Sequence, residues 1–418
     1  MFCSKCGANL GEGVKFCPNC GAPVGPVSAT PAPADAPGAA APAPTTVHPK
    51  RRAPFVIIAV AAVAVIAIAA FAVTHLLGGN PKEAAGANGM GNSVTNIAVG
   101  DGQAVSAGGM DYFFDRNGLE CAKVNDPGSV KQICSTSSDT YVGMLNYADG
   151  RLFYVSYDED AGEYRIESVK IDGSDEETLY SFDRDDKYHF PYLYIADGRI
   201  YVVCNAYQHR TDSLHIVSMA TDGSDVRNEL DLDMPCYDVA FSGGRIYYSA
   251  DEADDGTGTG SVYSMNIDGS DTKRIFSSDG GSVGDITVVG DRVLVAAHDH
   301  SGGHGSDSTS SYYVASMNTD GSDAKKITDV SDDEIDIVGA NNDTVYLSDG
   351  DSFFAVPAAG GDETDLGLPD SFQYGAYLIG ADDHIIVSNG SLFNGLANHV
   401  GSMKGDDGSS YVEYFSES

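Results

Sequence analysis

Apolar and polar residues alternate in short runs along most of this chain, and a turn signal separates each run from the next. In FPYLYIADGRIYVVCNAY (190–207), two β-rich runs meet at Asp197-Gly198. In SLHIVSMATDGSDVRNELDL (213–232), two more meet at Asp-Gly-Ser-Asp. Alternation with a period of two is typical of strands with two distinct faces, and Asp-Gly is a hairpin signal. This segment therefore predicts four antiparallel strands, which is the content of one β-propeller blade.

The same four-strand pattern returns along the chain. Four Asp-Gly-Ser-Asp turns have their glycines 46 to 52 residues apart, at Gly173, Gly223, Gly269 and Gly321. Counting by this template gives seven copies, near residues 94–135, 140–182, 188–232, 236–278, 283–329, 334–368 and 372–416. The period is typical of propeller blades. We predict an all-β fold, a seven-bladed β-propeller over residues 94–418. Because the first, sixth and last copies are irregular, six blades with extra strands are the alternative.

A continuous apolar segment lies before the repeats. Residues 53–77 include FVIIAVAAVAVIAIAAFAVTHLL, which has no charged residue and is long enough to cross a bilayer as a helix. Lys50, Arg51 and Arg52 precede it, and Lys82 stands almost alone after it. Positive charge stays on the cytoplasmic side, so we predict a single-pass anchor with a cytoplasmic N-terminus and an extracellular propeller. A cleaved signal peptide is disfavoured because a small module and a linker precede the segment.

Residues 1–24 contain two Cys-x-x-Cys pairs, each followed by glycine. Four thiolates in this pairing suit tetrahedral zinc, and the predicted ligands are Cys3, Cys6, Cys17 and Cys20. The predicted reducing cytoplasmic side disfavours two disulfides, which are the alternative. The segment resembles the short zinc ribbon at the N-termini of many bacterial membrane proteins. Because it has no basic patch, we expect a structural or docking role and no nucleic-acid binding.

Two poorly patterned segments connect these units. Residues 25–52 form a Pro/Ala-rich linker, and residues 78–93 form a Gly/Asn-rich tether. The formal net charge is −37, and nearly all of the acidic excess follows the apolar segment. Such a surface repels nucleic acids and anionic lipids and attracts basic partners. A highly charged surface also keeps an exposed domain soluble.

The repeat resembles known propeller families. IYYSADEADDGTGTGSVYSMNIDGSDTKRIF (246–276) is similar to the YWTD-type repeat of low-density-lipoprotein-receptor-like propellers, and to bacterial DUF5050 and TolB-like propellers. It departs from the YWTD motif, because Tyr247-Tyr248-Ser249 stands in place of Tyr-Trp-Thr and the chain has no Trp. The resemblance implies a fold and a tendency to bind, and it implies no reaction.

In propellers, the loops on one face usually bind the ligand. The second-to-third-strand loops are the long ones here, at residues 157–164, 205–213, 251–260 and 298–310, and they share a face with the inter-blade crossings. Two of them carry candidate ligands for a transition metal or for calcium, namely His298, Asp299, His300 and His304, and Asp251, Asp254 and Asp255. Flexible glycines and irregular spacing make plain polar loops the favoured interpretation of both.

No catalytic motif appears in the chain. The leading hypothesis is a bacterial membrane-anchored surface protein whose propeller binds an envelope or extracellular protein, peptide or glycan, with the zinc ribbon as an inner module. The alternative is an extracellular hydrolase or lyase with its site at the propeller axis, which His, Arg, Tyr and acidic residues converging at the long-loop face would favour.

Four cysteines lie in the repeats. Cys121 and Cys134 are symmetric about Pro127-Gly128, so a hairpin centred there would place them opposite each other. Cys204 ends a second strand and Cys236 begins the next blade, which allows a bridge between blades. In an oxidising compartment we predict a disulfide for each pair, and buried thiols are the alternative.

We predict that the N-terminal module binds one zinc ion, because its folding energy must come from the metal. Elemental analysis of a purified 1–24 peptide should give one zinc per chain, and Cys17→Ser should remove it. A peptide that stays metal-free at about micromolar zinc would contradict this prediction.

Overall fold

A computed structural model describes residues 91–136, 140–184, 191–206, 213–233, 236–251, 259–301, 309–369, 372, 376–381, 383–389, 397, 399–404 and 410–416. The chain divides into two units, 1–79 and 80–418, and the described residues all belong to the second. The predicted zinc ribbon, linker and transmembrane segment lie outside them. Within the described ranges, no helix is long and apolar enough to cross a membrane.

One short helix and 28 strands make up the described part of the chain. The helix is α1 (Val94–Ala98). The strands form seven consecutive four-stranded antiparallel groups, called meanders 1 to 7. Meanders 1 to 3 contain β1 (Ala104–Ala107), β2 (Met110–Asp115), β3 (Gly118–Lys123), β4 (Asp126–Ser135), β5 (Thr140–Ala148), β6 (Arg151–Asp158), β7 (Glu163–Lys170), β8 (Glu177–Asp183), β9 (Pro191–Ala196), β10 (Arg199–Ala206), β11 (Ser213–Ala220) and β12 (Arg227–Asp233).

The remaining strands continue the same order. Meanders 4 and 5 contain β13 (Val239–Ser242), β14 (Arg245–Asp251), β15 (Gly260–Asn266), β16 (Lys273–Ser277), β17 (Val283–Val289), β18 (Arg292–Ser301), β19 (Thr309–Asn318) and β20 (Lys325–Lys326). Meanders 6 and 7 contain β21 (Asp336–Asn341), β22 (Thr344–Ser348), β23 (Phe353–Pro357), β24 (Thr364–Asp365), β25 (Tyr377–Gly380), β26 (His384–Ser388), β27 (His399–Lys404) and β28 (Val412–Ser416).

The first strands of the meanders lie side by side. β1 contacts β5, β5 contacts β9, β13 contacts β17, and β17 contacts β21. β21 and β25 pair in parallel, which joins meanders 6 and 7 into one eight-stranded sheet. The order closes on itself, because β28 contacts β4 and β27 contacts β2. The predicted all-β class is confirmed, and the arrangement is consistent with a β-propeller.

Side chains from neighbouring meanders form the core between them. Alternate residues of β6 face opposite sides: Phe153 and Val155 pack with meander 3, whereas Leu152 and Tyr154 pack with meander 1. Both faces of the sheet are therefore covered. This explains why the second strands are apolar at nearly every position although their side chains alternate.

The Asp-Gly-Ser-Asp turns have a second function besides turning the chain. The first aspartate accepts the serine amide, as in Asp172 Oδ1 to Ser174 N at 3.0 Å. The second aspartate pairs with the arginine that opens the second strand of the same meander. These pairs are Arg151–Asp175 (2.9 Å), Arg199–Asp225 (2.8 Å), Arg245–Asp271 (3.2 Å) and Arg292–Asp323 (3.1 Å). The arginine that opens the second strand and the Asp-Gly-Ser-Asp turn of one repeat are thus two halves of a single contact.

The glycine of this turn also sets the distance between meanders. Gly173 has φ +81°, and a Cβ there would lie 2.5 Å from the carbonyl oxygen of Ile133 in β4 of meander 1. Gly321 repeats the relation, since its Cβ would lie 3.0 Å from the carbonyl oxygen of Ile275 in β16 of meander 4. The turn therefore packs on the outer strand of the preceding meander. This contact recurs with the repeat because its geometry depends on glycine.

The hairpin that contains Cys121 and Cys134 is not centred on Pro127-Gly128 as predicted. Lys123 pairs with Asp126, so the chain turns at Val124-Asn125, three residues earlier. Two bulges follow, and Cys134 then pairs with Leu119 instead of Cys121. Both cysteines are thiols, and burial raises the pKa of Cys134 to about 11.

The second predicted bridge, between Cys204 and Cys236, stays a prediction. Cys204 in β10 and Cys236 before β13 are both buried on adjacent meanders. The Cys236 thiol donates to the carbonyl oxygen of Asp238, with an Sγ–O distance of 3.8 Å.

We predict that Gly173→Ala destabilises the protein more than Gly150→Ala does. Both glycines have φ near +80°, but a Cβ at Gly150 would have no neighbour within 4 Å. Gly150→Ala should therefore cost only the left-handed backbone, about 1–2 kcal/mol. Gly173→Ala adds a clash with the backbone of Ile133. Urea unfolding of the two variants measures the difference, and equal losses would contradict the spacing role of Gly173.

Candidate functional site

Helix α1 lies among the first strands of the meanders. It contacts β9, β13, β17, β21 and β25, which are the first strands of meanders 3 to 7. Ser93 begins the helix by accepting the backbone amide of Asn96 on its hydroxyl, at 3.1 Å. A five-residue helix has little stability of its own, so its position depends on the surrounding strands. The helix therefore fills the axis of the arrangement.

Buried amide side chains hold this axial segment. Asn92 Nδ2 donates to the carbonyl oxygens of Ala104 (2.8 Å) and Leu145 (2.7 Å), on either side of the boundary between meanders 1 and 2. Asn96 exchanges two hydrogen bonds with the backbone of Gly380 in β25, at 3.2 and 3.1 Å. The segment thus connects the first strands of meanders 1, 2 and 7. Since buried polar groups are costly unless paired, these contacts specify its position.

The chain enters this axial position from one particular face. Gly91 pairs with Tyr147, which lies beside the short turn between β5 and β6. Residues 91–98 therefore begin at the face of the short first-to-second-strand turns. The face of the long loops lies at the opposite end. Sequence reasoning missed this segment and assigned residues 94–98 to the start of the first blade, although Ser93 is a helix N-cap signal.

Carboxyl groups surround the axis toward the long-loop face. Asp238 precedes β13, Asp285 lies in β17, and Asp336 begins β21. We call these three residues the axial mouth. The backbone amide of Ile337 donates to Asp285 Oδ2 at 3.2 Å, which connects meanders 5 and 6. A bulge between Val283 and Ile286 accommodates Asp285 at this position.

The pKa values of the axial mouth are raised. Burial raises the pKa of Asp285 to about 8, and the charges of Asp238, Asp336 and Glu334 add to the effect. Burial raises the pKa of Asp238 to about 6. Burial and the charge of Glu334 raise the pKa of Asp336. Asp238 and Asp285 are half-buried, whereas Asp336 is exposed.

Asp238 and Asp285 titrate as an interacting pair. At neutral pH their raised pKa values imply that the pair holds about one proton. Such a site is anionic and can exchange a proton near neutral pH. It can therefore bind a cationic group or serve as an acid and base.

Of the candidate metal residues in the long loops, the structure describes the side chains of three, and it places Asp299 apart from His298 and His300. Asp299 is bound by Lys326 Nζ (2.7 Å) and the Tyr313 hydroxyl (2.7 Å). His298 and His300 alternate with Asp299 along β18 and so lie on its other face, with their Nδ1 atoms near serine hydroxyls.

The other candidate metal ligands of the long loops are not described by the structure. His304 and the side chains of Asp251, Asp254 and Asp255 are not among the described residues. Among the residues that are described, no group of three His, Cys, Asp or Glu side chains is placed to hold a metal ion.

The axial mouth had a sequence signal that was missed. Three consecutive copies place an aspartate directly before an apolar residue near the start of the first strand, in Asp238-Val239, Asp285-Ile286 and Asp336-Ile337. When the repeats are aligned on their first strands, these three aspartates fall at equivalent positions. That they meet at one axis could not be predicted from the repeat itself, because it depends on the closed order of the meanders.

Comparison with known proteins supports the zinc ribbon. Residues 2–24 match the family described as a zinc-ribbon domain. A search of curated proteins finds no match.

Similar solved structures have low sequence identity to this chain. One is an oligogalacturonate lyase in complex with manganese, with 10% identity over 74% of this chain and 88% of that chain and a TM-score of 0.46. A GH93 α-L-arabinofuranosidase of Fusarium graminearum with arabinobiose has 12% identity over 64% and 92%, with a TM-score of 0.42. TolB from Acinetobacter baumannii has 14% identity over 60% and 62%, with a TM-score of 0.37. At such low sequence identity and TM-score, these structures say nothing about the function of this chain.

We predict that Asp285→Asn flattens the dependence of stability on pH. For a carboxyl whose folded pKa is raised, the penalty develops as pH rises from the usual value, 3.8, to the folded value, here about 8. An amide cannot ionise, so the gain in melting temperature of the variant relative to wild type should be much larger at about pH 8.5 than at about pH 4.5. Asp332→Asn, at an exposed position, is the control. The same shift at both pH values would contradict the raised pKa.

Proposed function

We propose that this chain is a bacterial membrane-anchored surface protein with a seven-bladed β-propeller that binds a basic segment of an envelope or extracellular protein or peptide. The binding surface is the axial mouth and the long loops around it. The zinc ribbon is a cytoplasmic structural or docking module. Seven four-stranded meanders in a closed order support seven blades over six.

The electrostatics of the axial mouth are the observation that carries this proposal. The three side chains that act on Asp285 are all carboxyls: Asp238, Asp336 and Glu334. The net charge of the chain is −37. An anionic recess in an anionic surface raises the local concentration of cations and steers basic partners toward it. A basic peptide suits this surface better than an uncharged glycan does.

The path of the chain supports the choice of face. The segment that leads from the predicted anchor joins the propeller at the short-turn face, where Gly91 meets Tyr147. This supports the long-loop face, at the opposite end, as the binding face.

One observation favours catalysis as the second candidate function. Asp238 and Asp285 have pKa values of about 6 and about 8, so one is ionised and the other protonated near neutral pH. A hydrolase or lyase uses such a pair as base and acid. Helix α1 fills the axis beside the strands that carry these residues, however, and so takes up space that an axial substrate would need. Binding is therefore the favoured function.

A peptide-binding experiment on intact cells tests the proposal. Cells that produce the full chain should bind a fluorescent lysine-rich peptide, and added protease should remove the binding. The doubly substituted Asp238→Asn/Asp336→Asn protein should bind about tenfold more weakly, because two charges at the recess are lost. Asp291→Asn/Asp343→Asn removes two charges from short first-to-second-strand turns and is the matched control.

Two outcomes would contradict binding at the axial mouth. Equal loss in both double variants would show that only net charge matters. Absence of binding by cells that display the chain would exclude this ligand class. Turnover of a polysaccharide that Asp285→Asn abolishes would establish the catalytic alternative.

A further inference from the structure

The junction between meanders 1 and 7 differs from the other interfaces. Each meander consists of four consecutive strands, so no sheet contains strands from both ends of the described chain. Neighbouring meanders along the chain are also connected covalently. Among the described residues, the two end meanders meet without a shared strand pair, through contacts that involve side chains and through the axial segment. Their junction is therefore the interface that can open without breaking a covalent path.

A buried His–Asp–Tyr cluster holds this junction. Asp111 in β2 has no exposed surface. Its Oδ1 lies 2.7 Å from His384 Nε2 of β26, and its Oδ2 accepts the Tyr414 hydroxyl of β28 at 2.7 Å. On its other side, His384 Nδ1 lies 3.0 Å from Asp383 Oδ1. One carboxylate of meander 1 thus binds two side chains of meander 7.

Further contacts surround the cluster. The Tyr414 ring stacks on Phe113, with centroids 5.5 Å apart, and its hydroxyl accepts the Asn125 amide at 2.8 Å. Asn125 Oδ1 in turn accepts the Ser402 hydroxyl at 2.9 Å. Every one of these contacts crosses the junction. The junction is therefore well packed and strongly polar at the same time.

Two more buried acids lie on the same face of meander 1. Asp111, Phe113 and Asp115 alternate along β2, so their side chains point to one side. Glu120 in β3 is the register partner of Phe113. Asp115 is 1% exposed and Glu120 is 5% exposed. Since Phe113 packs against residues of meander 7, the junction contains three carboxyls and one imidazole.

We propose that this junction is a proton-dependent latch. It is closed while the His384 imidazole is protonated between Asp111 and Asp383 and while Glu120 is neutral. It loosens locally when these groups lose their protons. The other inter-meander contacts remain, so the response is an opening between the first and last meanders and not global unfolding.

The ionisation of the groups at the junction agrees with this geometry. Burial raises the pKa of Glu120 to about 7, and Asp115 adds to the effect. Burial alone would lower the pKa of His384, but its contacts with Asp111 and Asp383 raise it above the usual value. Burial also raises the pKa values of Asp115 and Tyr414. On β27, Lys404 is the register partner of His384.

Loss of the proton from His384 and loss of the proton from Glu120 both weaken the junction as pH rises. For His384 the folded pKa is raised, so its contribution is present below the usual pKa and is lost as pH rises through the folded value. For Glu120 the neutral form is favoured in the fold, so a penalty develops as pH rises from the usual value, 4.5, through about 7. The junction is therefore strongest at mildly acidic pH and weakest at alkaline pH.

Hydrogen–deuterium exchange of the full chain in detergent tests the latch. After correction for intrinsic rates, peptides from β2, β26 and β28 should lose protection between about pH 6 and about pH 8.5, whereas peptides from β10 and β14 should not. Glu120→Gln cannot ionise and should restore about tenfold protection at the higher pH. His384→Gln should reduce the pH dependence by lowering protection at the lower pH, and the share that comes from Glu120 should remain.

A matched histidine provides the control. His399 lies in the same meander and pairs with Glu413 near the surface, at 2.8 Å. His399→Gln should leave the exchange of β2, β26 and β28 unchanged. Uniform pH dependence across all strands of the wild type would overturn the latch. So would variants at Glu120 and His384 that change protection equally at both pH values, because a purely structural role predicts that result.

Discussion

Asp111 forms the contact on which the closed order of the meanders depends. Its carboxylate binds His384 and Tyr414 from the far end of the repeats, 273 and 303 residues away along the chain. Many propellers close with a sheet built from both chain ends, so that backbone hydrogen bonds join them. Here each sheet is sequential, and buried side chains take that place. A buried, hydrogen-bonded ionic cluster is sensitive to the removal of a single partner, because the others remain desolvated. The axial segment shares this function, since Asn96 binds Gly380 of meander 7.

The closed order brings the acidic residues together and thereby connects the fold with the candidate site. Asp238, Asp285 and Asp336 belong to three successive repeats, and each lies at or near the start of a first strand. Only the arrangement of first strands around one axis makes them neighbours and raises their pKa values. Helix α1 closes the axis beside them, so the recess faces the long loops. The same arrangement that stabilises the fold therefore concentrates negative charge at one face.

The sequence predicted much of this architecture, because its repeat has a local physical cause. The arginine that opens the second strand and the Asp-Gly-Ser-Asp turn recur together because Arg151 binds Asp175, and three further repeats form the same pair. The all-β fold class, the length of the repeat and the four strands of each repeat could be predicted from this recurring contact. Contacts between residues in different repeats could not. The predicted centre of the hairpin between Cys121 and Cys134 was wrong, because the chain turns at Val124-Asn125 and two bulges shift the register of β4. The axial helix and the axial mouth were missed because each depends on partners from several repeats.

A double-mutant cycle across the junction tests the central claim of this account most directly. Asp111→Asn, His384→Gln and their combination would be compared with wild type by urea unfolding of the full chain at mildly acidic pH. The account predicts a coupling free energy of at least about 1 kcal/mol, because the two side chains stabilise each other across the only junction without a covalent connection. Additive losses, with a coupling free energy near zero, would contradict the claim that this contact closes the fold.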